Sequence, residues 1–122
     1  MLERIAFLLF IANAKMIFTT SFHATCFAII FHKPFICMPN HKPGVSRFTS
    51  LLSLLNLKSR AINSISDLAH FNFEEPINWE NIDEILGEKR KIAIEWFQKA
   101  YNAPKIKRVK YFDLIKEMFL QR

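Results

Sequence analysis

The amino-acid sequence predicts an α/β protein in which short parallel strands are flanked by helices. The predicted strands, Lys15–Thr19 and Phe35–Met38, have apolar centres without alternation, which is typical of parallel strands covered on both faces. The stretch between them, Phe22–Phe31, is almost wholly apolar and predicts a buried helix. A strand, a helix and a strand in so short a segment form a βαβ unit, whose crossover should be right-handed.

The first segment, Glu3–Asn13, is predicted to be a helix that leads into the first strand. It also resembles a secretory signal, because the apolar run Ile5–Ala12 ends at Ala12-Asn13-Ala14, a pattern typical of cleavage sites. The run is short, and Glu3 offsets the charge of Arg4. We therefore favour a buried amphipathic helix and keep a small secreted protein as an alternative.

The rest of the chain predicts further helices around the βαβ unit. After a loop, the segment Val45–Asn56 carries one apolar stripe at helical spacing, formed by Phe48, Leu51, Leu52 and Leu55. A short strand is expected near Ala61. Asn78 can cap a long helix in which Gly87 is a candidate break, and Pro104 ends it.

The sequence divides into a main region, residues 1–103, and a basic tail, residues 104–122. The tail predicts a short amphipathic helix with the apolar residues Tyr111, Leu114, Ile115 and Met118. The net charge of +6 is concentrated partly in Lys105–Lys110, which suits an anionic partner. An alternative function is therefore a small basic module that binds nucleic acid or an anionic membrane. No recognition helix or aromatic RNA-binding signature supports that alternative.

The composition excludes several classes of function. Gly44 and Gly87 are the sole glycines, and the sequence contains neither a P-loop nor a GxGxxG pattern. Cys26 and Cys37 make no disulfide framework and are expected to be buried, reduced thiols. No set of His, Cys and acidic residues has zinc spacing, so we predict no metal and no cofactor. No apolar run reaches the roughly 18 residues that a transmembrane helix needs.

The turn after the first strand is the strongest candidate for a binding site. In open α/β sheets ligands bind beyond the carboxyl ends of the strands, where Thr19–His23 should lie. The hydroxyl groups of Thr19, Thr20 and Ser21 can cap the next helix, whose free N–H groups attract phosphate or carboxylate. His23 can exchange a proton there near neutral pH. The alternative is a structural histidine without a catalytic role.

A succession of short motifs runs through roughly residues 3–101. The first motifs are Asn13-Ala14-Lys15, Thr20-Ser21-Phe22-His23-Ala24, Phe27-Ala28-Ile29-Ile30-Phe31 and Lys33-Pro34-Phe35. The later motifs are Ser46-Arg47-Phe48, Leu51-Leu52, Leu55-Asn56-Leu57, Arg60, Trp79-Glu80-Asn81 and the charged helix Glu88–Lys99. In this order and spacing they resemble the C-terminal part of the polysaccharide pyruvyl transferase family.

The resemblance implies a Rossmann-like C-terminal half of a GT-B-type fold, truncated because the family's N-terminal domain is missing. Residues 1–103 would be part of the family's C-terminal domain. Members of the family transfer the enolpyruvyl carbons of phosphoenolpyruvate onto two sugar hydroxyls as a ketal, in bacterial exopolysaccharide or cell-surface glycan synthesis. The implied partners are phosphoenolpyruvate, a glycan acceptor, and a missing N-terminal domain or partner chain. We expect a cytoplasmic protein, or one at the inner face of the membrane, that is inactive alone.

The resemblance also implies site residues. His23 matches the family's motif histidine, the expected catalytic acid or phosphate ligand, and Thr20 and Ser21 match the helix-opening residues expected to bind substrate. Arg47 matches the arginine that begins the next helix and can pair with an anion; the alternative is a surface or domain-contact arginine. Many relatives have arginine where this chain has Ser21 and glycine where it has Ala24. Anion binding should therefore be weaker or differently arranged here.

Overall fold

The computed structural model describes residues 1–39 and 45–103 of the chain. Its helices are α1 (Leu2–Asn13), α2 (Phe22–Ile30), α3 (Val45–Leu54) and α4 (Trp79–Asn102), and its strands are β1 (Ile17–Thr19) and β2 (Phe35–Cys37). Two 3₁₀ turns, Lys58–Arg60 and Ile65–His70, lie between α3 and α4. The chain divides into two compact units, Met1–Ile85 and Leu86–Arg122. The helix predicted within the basic tail lies outside the described residues.

The predicted βαβ unit is confirmed. Strands β1 and β2 pair in parallel, with Ile17 opposite Phe35 and Thr19 opposite Cys37, and α2 connects them. Cys37 also forms a parallel bridge with Ala61, where the sequence predicted a short strand. The sheet therefore extends on the far side of β2, which makes β2 its central strand.

The core of the unit Met1–Ile85 is built around β2, whose three residues are all buried. The core also contains apolar side chains from α2, α3 and the start of α4, because each helix turns one apolar face inward. Its main members are Ala28, Ile29, Phe35, Ile36, Phe48, Leu52, Leu55, Ile62 and Ile82. The predicted stripe of α3 is confirmed at the two buried positions of this helix, Phe48 and Leu52.

The expectation that α1 and β1 are buried is wrong for the described residues. Ile11 is the one buried residue of α1, and Phe10 is 81 % exposed. On β1, the side chain of Phe18 is 50 % exposed. Successive side chains of a strand point to opposite faces, and the face of β1 that carries Phe18 is more exposed than the face that carries Ile17 and Thr19. An apolar sequence shows that a segment can be buried, but it does not show which element covers it.

Helices α2 and α3 end in the same backbone motif. His32 (φ 51°) and Asn56 (φ 57°) adopt the left-handed conformation just beyond the two helices. In each case the amide of the following residue donates a hydrogen bond back into the last turn of the helix. In α2, Lys33 N–H donates to the Ala28 carbonyl at 2.8 Å. The corresponding bond in α3 joins Leu57 N–H and the Leu52 carbonyl at 2.7 Å. This is the Schellman arrangement, so α2 already ends before the proline that was expected to end it.

The long helix α4 begins where the sequence predicted. The side-chain oxygen of Asn78 accepts the Asn81 N–H at 3.0 Å, which makes Asn78 the N-cap. The candidate break at Gly87 is wrong, because α4 runs from Trp79 to Asn102 without interruption. A glycine costs a helix roughly 1 kcal/mol relative to alanine, which many flanking helix formers can offset.

Candidate functional site

The first turn of α2 is fixed by two side-chain caps. Ser21 is the N-cap residue, and its Oγ atom accepts the Ala24 N–H at 3.4 Å. The Thr19 hydroxyl oxygen in turn accepts the Ser21 N–H at 3.0 Å. The amides of Phe22 and His23 point out of the helix start without an acceptor among the described residues. Two backbone donors therefore stay open to a ligand at the carboxyl end of β1.

His23 lies on the exposed side of this turn. It borders a groove of about 660 Å³ whose opposite wall is α1, with Glu3, Arg4 and Phe7 among its lining residues. The imidazole is thus accessible to a solute. The sequence analysis missed this contribution of α1, because charged residues at a helix start have no distinctive spacing relative to a distant histidine.

Arg47 reaches the same turn from α3. Its guanidinium carbon lies 5.2 Å from the centroid of the Phe22 ring. The Phe22 ring also packs edge-on against Phe48, with 5.3 Å between the ring centroids, and contacts the His23 ring at 6.2 Å. One aromatic side chain therefore touches both polar residues that the sequence analysis selected. Phe22 was not predicted as a site residue, since in sequence it is one of many phenylalanines.

The four predicted site residues thus occupy different positions at the turn. Ser21 caps the helix, His23 faces the groove beside α1, and Arg47 stacks on the ring of Phe22. Thr20 is exposed and precedes the cap, and no described residue shares a hydrogen bond with its side chain. Arg47 is exposed and has no ion pair among the described residues, so its charge is available to an anion.

The two cysteines do not have the properties of nucleophiles. Burial raises the pKa of the Cys37 thiol to about 11, and burial also raises the pKa of Cys26. A thiol with a raised pKa is largely protonated at neutral pH and reacts slowly. Both cysteines are free thiols, and Cys37 is buried as expected while Cys26 is partly exposed. The described residues contain no group of three or more potential metal ligands.

Comparison with known families gives one match, to the model described as polysaccharide pyruvyl transferase, over residues 3–42. The similarity to this family is thus shown for residues 3–42 of the chain. The matched segment contains α1, β1, α2 and β2, and so includes Thr20, Ser21 and His23. Arg47 lies outside it. The family relationship predicted from the motifs is therefore supported for the βαβ unit and its turn.

No curated protein and no solved structure matches the chain significantly. The polysaccharide pyruvyl transferase relationship rests on the sequence match alone. Among the described residues, no helix combines the length and apolar character needed to cross a membrane. The basic run Lys105–Lys110 lies outside the described residues.

Proposed function

We propose that the first turn of α2 and Arg47 bind the anionic groups of phosphoenolpyruvate in a pyruvyl transferase reaction. The observation that carries this proposal is the position of the Arg47 guanidinium over the ring of Phe22, the first residue of a helix whose first amides are open. A guanidinium and helix-start N–H groups are complementary to phosphate and carboxylate. The family match over residues 3–42 supports this choice of anion.

In the proposed reaction the two hydroxyl oxygens of the acceptor sugar form bonds to the central carbon of phosphoenolpyruvate. The methylene carbon takes up one proton and becomes a methyl group. The bond between the central carbon and the phosphate oxygen breaks, and phosphate leaves with the second hydroxyl proton. We assign His23 either to supplying the proton of the methyl group or to holding the phosphate, since imidazole can do both.

The finer fold assignment belongs to the same proposal. A parallel sheet with the order β1, β2 and Ala61 is compatible with the Rossmann-like C-terminal half of a GT-B-type fold. The turn at His23 would then be one wall of a cleft. An N-terminal domain or a partner chain would supply the other wall and bind the glycan acceptor, in a cytoplasmic reaction that builds cell-surface glycan.

The binding half of the proposal can be tested on the 122-residue chain. Phosphoenolpyruvate is titrated into the ¹⁵N-labelled protein, and the amides of Phe22 and His23 should shift and saturate together. Arg47→Gln should weaken the affinity by roughly tenfold or more, as expected for losing a charge-assisted hydrogen bond. Arg90→Gln, on the exposed surface of α4, is the matched control and should bind like the wild type. Equal losses in both variants would show non-specific attraction and contradict the site.

The chemical half requires an enzyme assay. Phosphate release from phosphoenolpyruvate is measured with an acceptor glycan, using a full-length member of the family. Replacing the histidine equivalent to His23 by glutamine should abolish most of the activity while the fold is retained. Unchanged activity would remove the assigned role of the histidine. The same assay on this chain alone tests the expectation that it does not turn over by itself.

A further inference from the structure

A cation is buried in the unit Met1–Ile85 without a carboxylate partner. Arg60 is 2 % exposed. Its Nη2 atom donates to the carbonyl oxygen of Glu75, and its guanidinium carbon lies 5.6 Å from the centroid of the Phe71 ring. Among the described residues, the contact of this kind joins His32 and Asp83, and no carboxylate lies within ion-pair distance of Arg60. A buried charge is costly unless it is paired, and one hydrogen bond uses a small part of the donor capacity of a guanidinium.

Arg60 lines a partly enclosed cavity of about 130 Å³. Asn56, Asn78 and Asn81 also line it, together with apolar side chains of the core. Glu75 borders the cavity as well, and its carbonyl oxygen already accepts the bond from Arg60. This volume is large enough for a few water molecules or a small oxyanion.

The N-terminus of α4 opens at this cavity. The Asn78 side-chain oxygen accepts the Asn81 N–H, and its amide nitrogen has no hydrogen bond among the described residues. The Asn81 side chain has no hydrogen bond among the described residues, and the Glu80 amide has none either. The start of a long helix carries a partial positive charge that adds to the charge of Arg60. The cavity therefore combines a buried cation with unused N–H donors.

This cavity is separate from the turn at His23. Helix α2 begins at that turn, and just beyond its other end His32 contacts Asp83 at 2.9 Å and stacks on Trp79. These two residues belong to the first turns of α4, at which the cavity opens. Helix α2 therefore separates the turn at His23 from the Arg60 cavity.

We propose that the Arg60 cavity is an anion site that takes a free oxyanion of the size of inorganic phosphate. The anion would neutralise Arg60 and accept hydrogen bonds from the side-chain amides of Asn78 and Asn81. Inorganic phosphate is the ion that we assign to the cavity, and a phosphate ester is the other source of the same anionic group that the test distinguishes. The proposal does not depend on the pyruvyl transferase reaction.

The test is a titration of the 122-residue chain with inorganic phosphate, followed by ¹⁵N NMR of the Arg60 Nε–H and the Asn81 side-chain amide. Both signals should shift and saturate together. Asn81→Leu places an apolar side chain at the cavity and should lower the phosphate affinity at least tenfold. His23→Gln is the control and should leave these shifts unchanged, which separates the cavity from the turn of α2.

Three results would overturn the proposal. The first is an Arg60 Nε–H signal that does not respond to phosphate, which means that water alone occupies the cavity. The second is a response that survives Asn81→Leu. The third is an equal or stronger response to glucose 6-phosphate, which would show that the site does not select the free ion. Because Arg60 is buried and Arg60→Gln can fail to fold, the conclusion rests on Asn81→Leu, whose fold is checked by its backbone amide spectrum.

Discussion

The guanidinium of Arg47 lies over the ring of Phe22, with 5.2 Å between the guanidinium carbon and the ring centroid. This relationship connects α3 to the first turn of α2, since Phe22 is the first residue of that helix. A flat aromatic face attracts a guanidinium and leaves its edge N–H groups free for a second partner. Under the proposed function, Phe22 would therefore position Arg47.

The first prediction concerns this stacking. Phe22→Leu keeps an apolar side chain but removes the aromatic face, and an exposed cation–π contact contributes about 0.5–1 kcal/mol. We expect phosphoenolpyruvate to bind about two- to fivefold more weakly, measured by calorimetry or NMR titration. Phe31→Leu, at the opposite end of α2, is the matched control. If Phe22→Leu binds like the wild type while Arg47→Gln does not, the ring does not position the guanidinium.

The second prediction compares two threonines with the same local hydrogen bond. Thr25 Oγ1 donates to the Ser21 carbonyl at 3.0 Å, and Thr49 Oγ1 donates to the Val45 carbonyl at 3.2 Å. Thr25 is fully buried and Thr49 is exposed. Valine has the same shape without the donor, so Thr25→Val should lower the free energy of unfolding by about 1 kcal/mol. Thr49→Val should change it by less than about 0.5 kcal/mol, because water replaces the lost bond.

Urea unfolding followed by circular dichroism measures both values. Each variant is compared with the wild type in the same buffer. Similar losses for Thr25→Val and Thr49→Val would mean that the burial of Thr25 does not strengthen its bond.

The third prediction concerns the reactivity of the two thiols. Burial raises the pKa of Cys37 from 9.0 to about 11, and Cys37 is fully buried, whereas Cys26 is partly exposed. In the folded protein at pH 8, iodoacetamide should label Cys26 roughly tenfold or more faster than Cys37, since the thiolate is the reactive form. Mass spectrometry of the digested protein measures both rates. In 8 M urea the rates should become similar, and a fast native reaction at Cys37 would contradict its burial.

The raised pKa of Cys37 also gives a pH dependence. The protonated thiol is favoured in the folded state, so its contribution to stability is complete below pH 9. That contribution is lost as the pH rises toward 11, because the unfolded chain then gains a thiolate more readily. Cys37→Ala should therefore show a smaller fall in the free energy of unfolding between pH 8.5 and pH 10.5 than the wild type.

The fourth prediction uses the shared motif at the ends of α2 and α3. His32 and Asn56 both have positive φ, which glycine adopts without steric cost. Of these two residues, His32 has long-range partners in the described part of the chain: its Nε2 atom lies 2.9 Å from the Asp83 carboxylate, and its ring stacks on Trp79 at 5.0 Å. His32→Gly should therefore be less stable than Asn56→Gly by about 1 kcal/mol, the sum of one partly exposed polar contact and one aromatic contact.

A double-mutant cycle of His32→Gly and Asp83→Asn checks the part of this difference that comes from the polar contact. The coupling should be below about 1 kcal/mol, because both side chains are partly exposed to solvent. Equal stabilities of His32→Gly and Asn56→Gly would show that the contact with α4 does not stabilise the fold.

The sequence by itself determined the local features of this protein. The apolar runs of β1 and β2, the hydroxyl cap at Ser21 and the amide cap at Asn78 depend on residues close together in the chain. Their physical signals are strand propensity and N-capping, which act over a few residues. The match over residues 3–42 has the same local character.

The tertiary structure alone decided which distant residues meet and which surfaces are covered. The sequence selected Arg47 but not its contact with Phe22, and it gave no sign that Arg60 would be buried beside a cavity. It also wrongly predicted a buried α1, although α1 forms as expected. The reason is that hydrophobicity and charge fix the free energy of burying a side chain, whereas the neighbour that covers it depends on how the helices pack around β2.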